Sequence, residues 1–388
     1  MRHEYGWRTW LRAAVLAGSL GPAVAMGGTQ CPPHGGWADM AGEPVEHTAL
    51  FAELVAADVV LLGERHSEMD HHHWQLGTLA ALHGRHPDLV IGLEMLPRGV
   101  QPALDDWVAG RLSPEAFLEA SEWYSHWGFD PDLYWPILHF ARVHGIPLLG
   151  LNAERALVQR LGVEGWDAVP LGERHHVSAP AEPPEAYRTQ LREFFDRHPA
   201  AEIHGEFERF LGTQLAWDRM MAATIASFLG ARGDEAPLLV GLIGMGHLRY
   251  GHGVPHQLAD LGVERSAVLL PQATDGDCSA LEPGLARAVF GLQPGEHQQH
   301  AAPMLGVRLV EDDEEGVLIQ GVEPGSVAEA TGLDAGDRLL QAGGRVLESV
   351  ADVQRMVGQV VPGLWLPLEV ERDGERQEFI ARFPYTAE

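Results

Sequence analysis

The chain of 388 residues contains no lysine, so arginine supplies every fixed positive charge. Its 27 basic residues face 55 aspartates and glutamates, which gives a formal net charge of −28 at pH 7. Such a charge repels phosphate backbones and anionic lipid surfaces, and it argues against nucleic acid and acidic membranes as partners. The sequence also lacks a Walker loop, a Rossmann fingerprint and a serine nucleophile elbow. We therefore expect neither the usual nucleotide sites nor a serine hydrolase.

Long hydrophobic runs are also missing, apart from one near the N-terminus. Arg2, Arg8 and Arg12 precede an apolar stretch that ends in the small-x-small sequence Ala23-Val24-Ala25. This is the pattern of a secretory signal peptide over residues 1–25. The stretch is too short and too interrupted to span a bilayer as a helix. The sequence thus predicts an exported protein, in the periplasm or at the cell surface.

Cysteine is scarce, since Cys31 and Cys278 are the two in the chain. In an oxidising compartment, two cysteines that bracket one domain favour a disulfide over free thiols. We therefore predict a bond between them. Acylation of Cys31, which would make the protein lipid-anchored, is the alternative.

The central part of the chain alternates short apolar runs with helical stretches, which predicts a mainly parallel α/β sheet covered by helices over residues 45–292. A long interval breaks this rhythm and predicts a helical insertion at about 180–232. A stretch rich in glycine, proline, histidine and glutamine follows as a linker, 293–303. The expected strands are Val59–Leu62, Leu89–Leu93, Ile146–Leu151, Leu238–Ile243 and Ala267–Leu270.

Residues 304–388 form a different, β-rich pattern. The turn Glu323-Pro324-Gly325-Ser326 and the later segment Gly336-Asp337-Arg338 resemble bacterial PDZ domains. The resemblance implies a domain that binds protein or peptide C-termini as an added strand. It also implies that Leu305, Gly306 and Val307 form the loop whose backbone N–H groups receive the terminal carboxylate.

The ends of the predicted parallel strands carry polar side chains. Ligands bind beyond the carboxyl ends of the strands in open sheets of this type. Two imidazoles and one or two carboxylates suit a divalent transition metal, with Glu64 and Glu94 as catalytic groups if the protein is a hydrolase. The residues at these ends are Glu64, His66, Glu94, Asn152 and His247.

The order of several motifs resembles the ChaN-like haem-binding uptake family, which belongs with the Tiki and TraB proteins in one superfamily. The matching motifs include Gly63-Glu64-x-His66, Glu94-Met95, Trp217-Asp218, Gly244-x-Gly246-His247 and Gly251-x-Gly253-Val254-Pro255. Resemblance to the haem-binding members implies haem iron held by a tyrosine, in a dimer. Resemblance to the Tiki branch implies a metal-dependent hydrolase that uses His66, His247 and a glutamate.

Tyr250 is the candidate haem ligand because it follows His247 closely at the same sheet edge, where His247 or His252 could tune its phenolate. Gln214 and Asp218 lie on the apolar stripe of a helix, where buried polar groups need partners. With Asn152, they are candidates for orienting the site's histidines.

Two other groups of residues carry less functional signal. The run His71-His72-His73 begins a helix, and we expect it to be solvated. The aromatic cluster between Trp123 and Trp135 is expected in the core, or at most in the wall of an apolar pocket.

Two functions remain open on these observations. The favoured hypothesis is an exported protein that binds haem or a divalent metal and carries a PDZ domain for protein contacts. The alternative is a metal-dependent hydrolase or peptidase that uses Glu64, His66, Glu94 and His247. A pure interaction scaffold would leave the polar sheet edge unexplained.

Overall fold

The structure is a computed structural model, and it describes residues 31–197, 207–275, 278, 281–293, 303–312, 314–361 and 363–384. The predicted signal peptide lies outside these residues, as does most of the predicted linker. Within the described part, none of the helices is long and apolar enough to cross a membrane.

The first domain is built on a mostly parallel sheet, which confirms the predicted fold class. Within the described residues, eight strands lie in the order β2-β1-β8-β7-β3-β6-β4-β5. All pairs from β8 to β5 are parallel, whereas β1 pairs antiparallel with β8 and β2. The strands are β1 (Trp37–Ala38), β2 (Pro44–Val45), β3 (Val59–Glu64), β4 (Leu89–Pro97), β5 (Leu148–Asn152), β6 (Leu238–Gly244), β7 (Ser266–Ala273) and β8 (Ala288–Leu292).

Helices cover both faces of this sheet, because successive side chains of a strand point to opposite faces. Val60 and Leu62 pack into one apolar cluster, and Val59 and Leu61 pack into the other. The helices are α1 (His47–Leu54), α2 (Met69–His83), α3 (Gln101–Val108), α4 (Pro114–Ala120), α5 (Trp123–His126), α6 (Trp135–His144), α7 (Arg155–Glu164), α8 (Glu185–Arg197), α9 (Phe207–Gly230) and α10 (Val254–Asp260).

The insertion supplies α8 and α9, which stand beside the carboxyl end of the sheet. Met221 and Ile225 of α9 are fully buried in the same cluster as Val59 and Leu61. A polar residue on this buried face, Asp218, is therefore carried to the sheet edge.

The second domain is antiparallel, as expected for a PDZ domain. Its sheet has the order β14-β13-β11-β10-β9, with β12 paired to β11, so that β9 forms an edge. Its elements are β9 (Val307–Val310), β10 (Val317–Val322), α11 (Val327–Thr331), β11 (Arg338–Ala342), β12 (Arg345–Val346), α12 (Val350–Gly358), β13 (Trp365–Arg372) and β14 (Glu375–Arg382).

A disulfide joins Cys31 and Cys278, the two residues predicted to pair. Their Cα atoms are 5.2 Å apart although 247 positions separate them in sequence. The bond fixes the start of the described chain beside the segment that connects β7 to β8.

Candidate functional site

The parallel register of three strands brings the predicted polar residues to one edge. In the β3–β6 ladder, Glu64 is directly opposite Gly244, and β4 pairs with β6 on the other side. Glu94 lies in β4, and His247 follows β6 in a short 3-10 helix, Met245–His247. The strand ends therefore form a single site, at the place that the sequence predicts.

His66 is held by a buried carboxylate at this edge. Its Nδ1 lies 3.0 Å from Oε1 of Glu64, which also accepts a hydrogen bond of 2.8 Å from the Tyr134 hydroxyl. Oε2 of Glu64 accepts from the Gln75 amide at 2.9 Å. Both oxygens are therefore engaged in orienting neighbours, and Glu64 acts as a positioning residue for His66.

Burial opposes ionisation of Glu64 and is the largest influence on its pKa. The hydrogen bond from His66 and the charges of His72 and His66 outweigh it, so the pKa of Glu64 lies below its usual value. Burial also opposes the charged form of His66 and therefore lowers its pKa. Glu64 and Glu94 raise the pKa of His66 by more than burial lowers it, so the net shift is upward. The pair is thus stabilised as carboxylate and imidazolium.

His247 forms the second such pair, with a carboxylate from the insertion. Its Nδ1 lies 2.6 Å from Oδ1 of Asp218, whose other oxygen accepts a hydrogen bond of 2.8 Å from the Tyr187 hydroxyl. Burial lowers the pKa of His247, but the charge and hydrogen bond of Asp218 dominate and raise it to about 9. Asp218, which the sequence offers as a candidate for orienting a histidine of the site, makes this contact with His247.

Glu94 lies between the two histidines. Oε1 of Glu94 is 3.7 Å from Nε2 of His247, and its other oxygen accepts from the backbone N–H of Gly244. A Cβ on Gly244 would lie 2.7 Å from Cε1 of His66, so this close approach requires glycine. The Asn152 amide donates to the backbone carbonyl of Glu94 at 3.3 Å, which fixes the strand rather than a histidine.

Each histidine therefore uses Nδ1 for a carboxylate, and a metal ion would have to displace the proton from Nε2. This is the arrangement that usually orients histidines on metals. Among the described residues, however, no group of three or more His, Cys, Asp or Glu is placed to hold a metal ion. The four predicted metal ligands meet at one edge, but they do not form such a set.

A cavity of about 1440 Å³ opens over this edge. We call it the sheet-edge cavity. Trp127 and Phe129 form one wall, with ring centroids 4.6 and 5.2 Å from that of His66. Phe194, Phe210, Gln214 and Trp217 of the insertion also line the cavity. Its arginines are Arg65, Arg155, Arg197 and Arg249.

Tyr250 lies in the wall of this cavity in a left-handed backbone conformation, with φ of +59°. Its hydroxyl donates to Glu282 at 3.3 Å, and its ring stacks on His252 with centroids 5.5 Å apart. Burial and the charge of Glu282 raise the pKa of Tyr250. A residue other than glycine that is held in this unfavourable backbone conformation is a recurrent feature of functional sites.

Several contacts in the site were not predicted from the sequence. His72 is buried, with Nε2 3.1 Å from the backbone carbonyl of His66, so the expectation that it is solvated was wrong. Tyr134 and Tyr187 were not predicted to touch the carboxylates. Tyr187 is 31 positions from Asp218, and no local spacing signals that contact.

The predicted carboxylate-binding loop has the expected form. Leu305 is buried, and Gly306 has φ of +79°. A Cβ on Gly306 would lie 2.2 Å from Cβ of Ser326. The loop, the edge strand β9 and α12 surround a second cavity of about 830 Å³, which we call the peptide groove.

These features define a two-domain protein, with an α/β domain that carries the sheet-edge cavity and a smaller β-rich domain that carries the peptide groove. The chain belongs to the family described as haem-binding uptake, Tiki superfamily, ChaN, which its residues 50–258 match. Residues 303–381 match the PDZ domain family.

One solved structure and one curated protein are similar to parts of this chain. The structure titled "Cofacial heme binding to ChaN of Campylobacter jejuni" has a TM-score of 0.50 and 19% identity, and covers 66% of this chain and 95% of that one, which shows a shared fold. A probable periplasmic serine endoprotease, DegP-like, of Halomonas elongata is 36% identical over 66 residues. That match spans 17% of this chain and only 14% of the endoprotease.

Proposed function

We propose that this protein is an exported haem-binding protein and that haem occupies the sheet-edge cavity. The observation that carries this proposal is the combination of aromatic walls with four arginines, in a lysine-free chain whose net charge is −28. Haem is a flat apolar ring with two propionate carboxylates. Aromatic walls suit the ring, and arginine is the residue best shaped to bind carboxylates.

Two polar atoms of the cavity wall strengthen the fit. Among the described residues, Nε of Arg249 and Nδ1 of His252 are buried without a hydrogen-bond partner. A buried polar atom that lacks a partner is costly, and a bound carboxylate or hydroxyl would relieve it. Both residues flank Tyr250, which we assign as the iron ligand. When bound, haem supplies an iron centre whose properties its axial ligand tunes.

Titration of the protein with haemin, followed by absorption, tests this function. We expect saturable binding, and we expect Tyr250→Phe to weaken it at least about tenfold and to change the spectrum. Tyr124→Phe is the matched control, since Tyr124 lines the peptide groove instead. No saturable haemin binding by the unaltered protein would refute the function. Unchanged binding and spectrum in Tyr250→Phe would remove only the ligand assignment.

We also propose that haem loading brings two copies together. The Campylobacter relative is titled as showing cofacial haem binding. Here, Phe194 at the cavity rim is 45% exposed and stacks on Phe210, so the rim offers apolar surface to a second haem or a second copy. Light scattering with and without haemin measures this directly. A mass that stays monomeric when haemin is bound would contradict it.

A metal-dependent hydrolase is the second candidate. The two carboxylate–histidine pairs favour it, since they leave Nε2 of His66 and of His247 near Glu94. Metal analysis of the isolated protein, compared with that of His66→Ala and His247→Ala, decides between the candidates. A stoichiometric transition metal that both variants lose would favour the hydrolase.

We further propose that the PDZ domain binds free protein C-termini in the peptide groove, along the edge strand β9. The support is the left-handed Gly306 in the carboxylate loop and the groove between β9 and α12. Peptides with a free C-terminus should bind, and the same peptides amidated should not.

The disulfide supports the proposal that the protein is exported to an oxidising compartment, because such bonds persist there.

A further inference from the structure

The peptide groove is not made by the PDZ domain alone. Its expected walls are the loop at Gly306, the strand β9 and the helix α12. A further wall comes from the first domain, more than 170 positions earlier in the chain. We call residues 123–131 the shared segment, and the residues that it contributes to the groove are Tyr124, Gly128, Asp130 and Pro131.

The shared segment is fixed at both ends and docked against the PDZ domain. The Trp123 indole donates to the Phe129 carbonyl at 2.8 Å, and Oδ1 of Asp130 accepts from the Asp132 backbone at 2.9 Å. A Cβ on Gly128 would lie 3.8 Å from Oε1 of Gln354 in α12. The segment therefore reaches the groove as a defined turn, in van der Waals range of the helix.

The same docking places Tyr124 near charged groups of both domains. Burial is the main reason why the pKa of Tyr124 rises to about 12, and the charge of Asp130 adds to it, whereas Arg355 of α12 opposes it. A second contact between the domains is the ion pair of Arg345 with Glu115, at 3.4 Å. A peptide in the groove would meet this surface as well as the PDZ walls.

The charges that line the groove are all of one sign. Among the described lining residues, Asp130 and Glu323 are the charged side chains, and both are acidic. Glu323 already pairs with Arg308 at 3.5 Å, so Asp130 is the less neutralised of the two. The base of the groove is apolar, with Leu305, Val353 and Val357.

We propose that the peptide groove is a composite site of both domains, which binds a protein tail with an apolar last residue and an arginine or lysine upstream of it. The terminal side chain enters the apolar base, and the upstream cation lies against Asp130 of the shared segment. This proposal depends on the proposed binding of C-termini by the PDZ domain, and it names the class of tail that binds.

The test uses the full chain and short fluorescein-labelled peptides that share an apolar C-terminal residue and carry arginine, glutamine or glutamate upstream. Anisotropy titrations should rank arginine before glutamine and glutamine before glutamate. A partly exposed ion pair is worth up to ~1 kcal/mol, so we expect about a three- to fivefold step between arginine and glutamine. The step should shrink at high salt.

Asp130→Asn removes the charge and keeps a side chain that can still accept the Asp132 N–H, so the turn is preserved. It should abolish the preference for arginine over glutamine, chiefly by weakening the binding of the arginine peptide. The matched control is Asp132→Asn, because Asp132 does not line the groove. A photo-crosslinking group at the upstream position should label residues 123–131.

The outcomes separate this proposal from the one on which it depends. If no free-acid peptide binds, the PDZ function itself fails. If peptides bind equally whatever their upstream residue, in the unaltered protein and in Asp130→Asn, the composite site is wrong and PDZ binding stands. Tighter binding of every peptide by Asp130→Asn would mean that the shared segment obstructs the groove, and would also overturn the proposal. Crosslinks confined to the PDZ domain would do the same.

Discussion

The sheet-edge cavity and the peptide groove depend on different kinds of contact. In the cavity, side chains from distant segments meet, as when Tyr134 reaches Glu64 over 70 positions. In the groove, the carboxylate loop depends on backbone conformation at one residue, Gly306. Losing a side chain should therefore damage the cavity, whereas the loop of the groove should fail only when its backbone cannot form.

The two sites nevertheless share a wall. Trp127 and Phe129 of the shared segment face His66 in the sheet-edge cavity. Gly128 and Asp130, which alternate with them in sequence, line the peptide groove. A substitution can thus affect one of the two sites without the other only if it lies outside the shared segment.

Loss of the disulfide, which lies wholly within the first domain, should produce the largest difference between the two domains in the free energy of unfolding. Closing a loop of 247 positions stabilises a protein by about 5 kcal/mol on the chain-entropy estimate. We expect Cys31→Ser with Cys278→Ser to lower the free energy of unfolding of the first domain by an amount of this order. Hydrogen exchange measured by mass spectrometry reports the two domains separately, and reduction of the unaltered protein is the control. An equal loss in the PDZ domain would show that the effect of the disulfide is not confined to the first domain.

The next largest effect should follow from Asp218→Asn. Asp218 is fully buried, and its loss leaves the partly buried His247 with only the more distant carboxylate of Glu94, at 3.7 Å. Removing one partner of a fully buried ion pair costs about 3 kcal/mol, and we expect a loss approaching this value in urea unfolding of the first domain. Tyr187→Phe, which removes a single hydrogen bond to the same carboxylate, should cost about 1 kcal/mol. Equal effects of the two variants would show that the ion pair adds nothing.

The same pair predicts a pH dependence. The pKa of His247 is raised from 6.5 to about 9 in the folded protein. The stability that it contributes is therefore fully present below pH 6.5 and is lost as the pH rises to about 9. Urea unfolding of the first domain should show this decline, and Asp218→Asn should flatten it. If stability declines equally in the variant, ionisable groups other than His247 cause the pH dependence.

The sequence predicted those features that depend on short stretches of chain. Buried strands are visible in the sequence as apolar runs such as Val59–Leu62. Because parallel strands end at the same edge of a sheet, the position of the site can be predicted without knowing any side-chain contact. The PDZ loop is predicted through the resemblance of its turns and of its apolar-Gly-apolar sequence to bacterial PDZ domains. These are the parts of the fold and site that one sequence determines locally.

Contacts between distant segments could not be predicted in the same way. The sequence marks Asp218 as a polar residue on an apolar helix face that could orient a histidine of the site, but it does not indicate that this histidine is His247. Tyr187 gave no signal because its own helix has an ordinary amphipathic pattern. The contribution of Asp130 to the peptide groove depends on how two domains dock, which neither domain's pattern encodes.

A moderate effect confined to the PDZ domain should follow from Gly306→Ala. The added Cβ would meet Ser326 at 2.2 Å in a left-handed conformation, which we expect to destabilise the domain by about 2 kcal/mol. Free C-terminal peptides should no longer bind, while haemin binding stays unchanged. Gly332→Ala is the matched control, since Gly332 also has positive φ but nothing within 4 Å of its Cβ position. Normal peptide binding by Gly306→Ala would remove the loop from the peptide site.

The smallest effect should be an acid-side pH dependence of the PDZ domain, opposite in direction to that of the first domain. Asp312 accepts two hydrogen bonds of 2.7 Å from the Arg338 guanidinium, and this pairing lowers the pKa of Asp312 from 3.8 to about 2. The stability from a carboxylate with a lowered pKa is present above pH 3.8 and is lost as the pH falls through about 2. Because Asp312 is exposed, water and salt screen the pair and keep its contribution small. Hydrogen exchange of the PDZ domain at several acidic pH values, with Asp312→Asn as the comparison, measures it. An identical acid profile in both proteins would assign the acid sensitivity of this domain to other carboxylates.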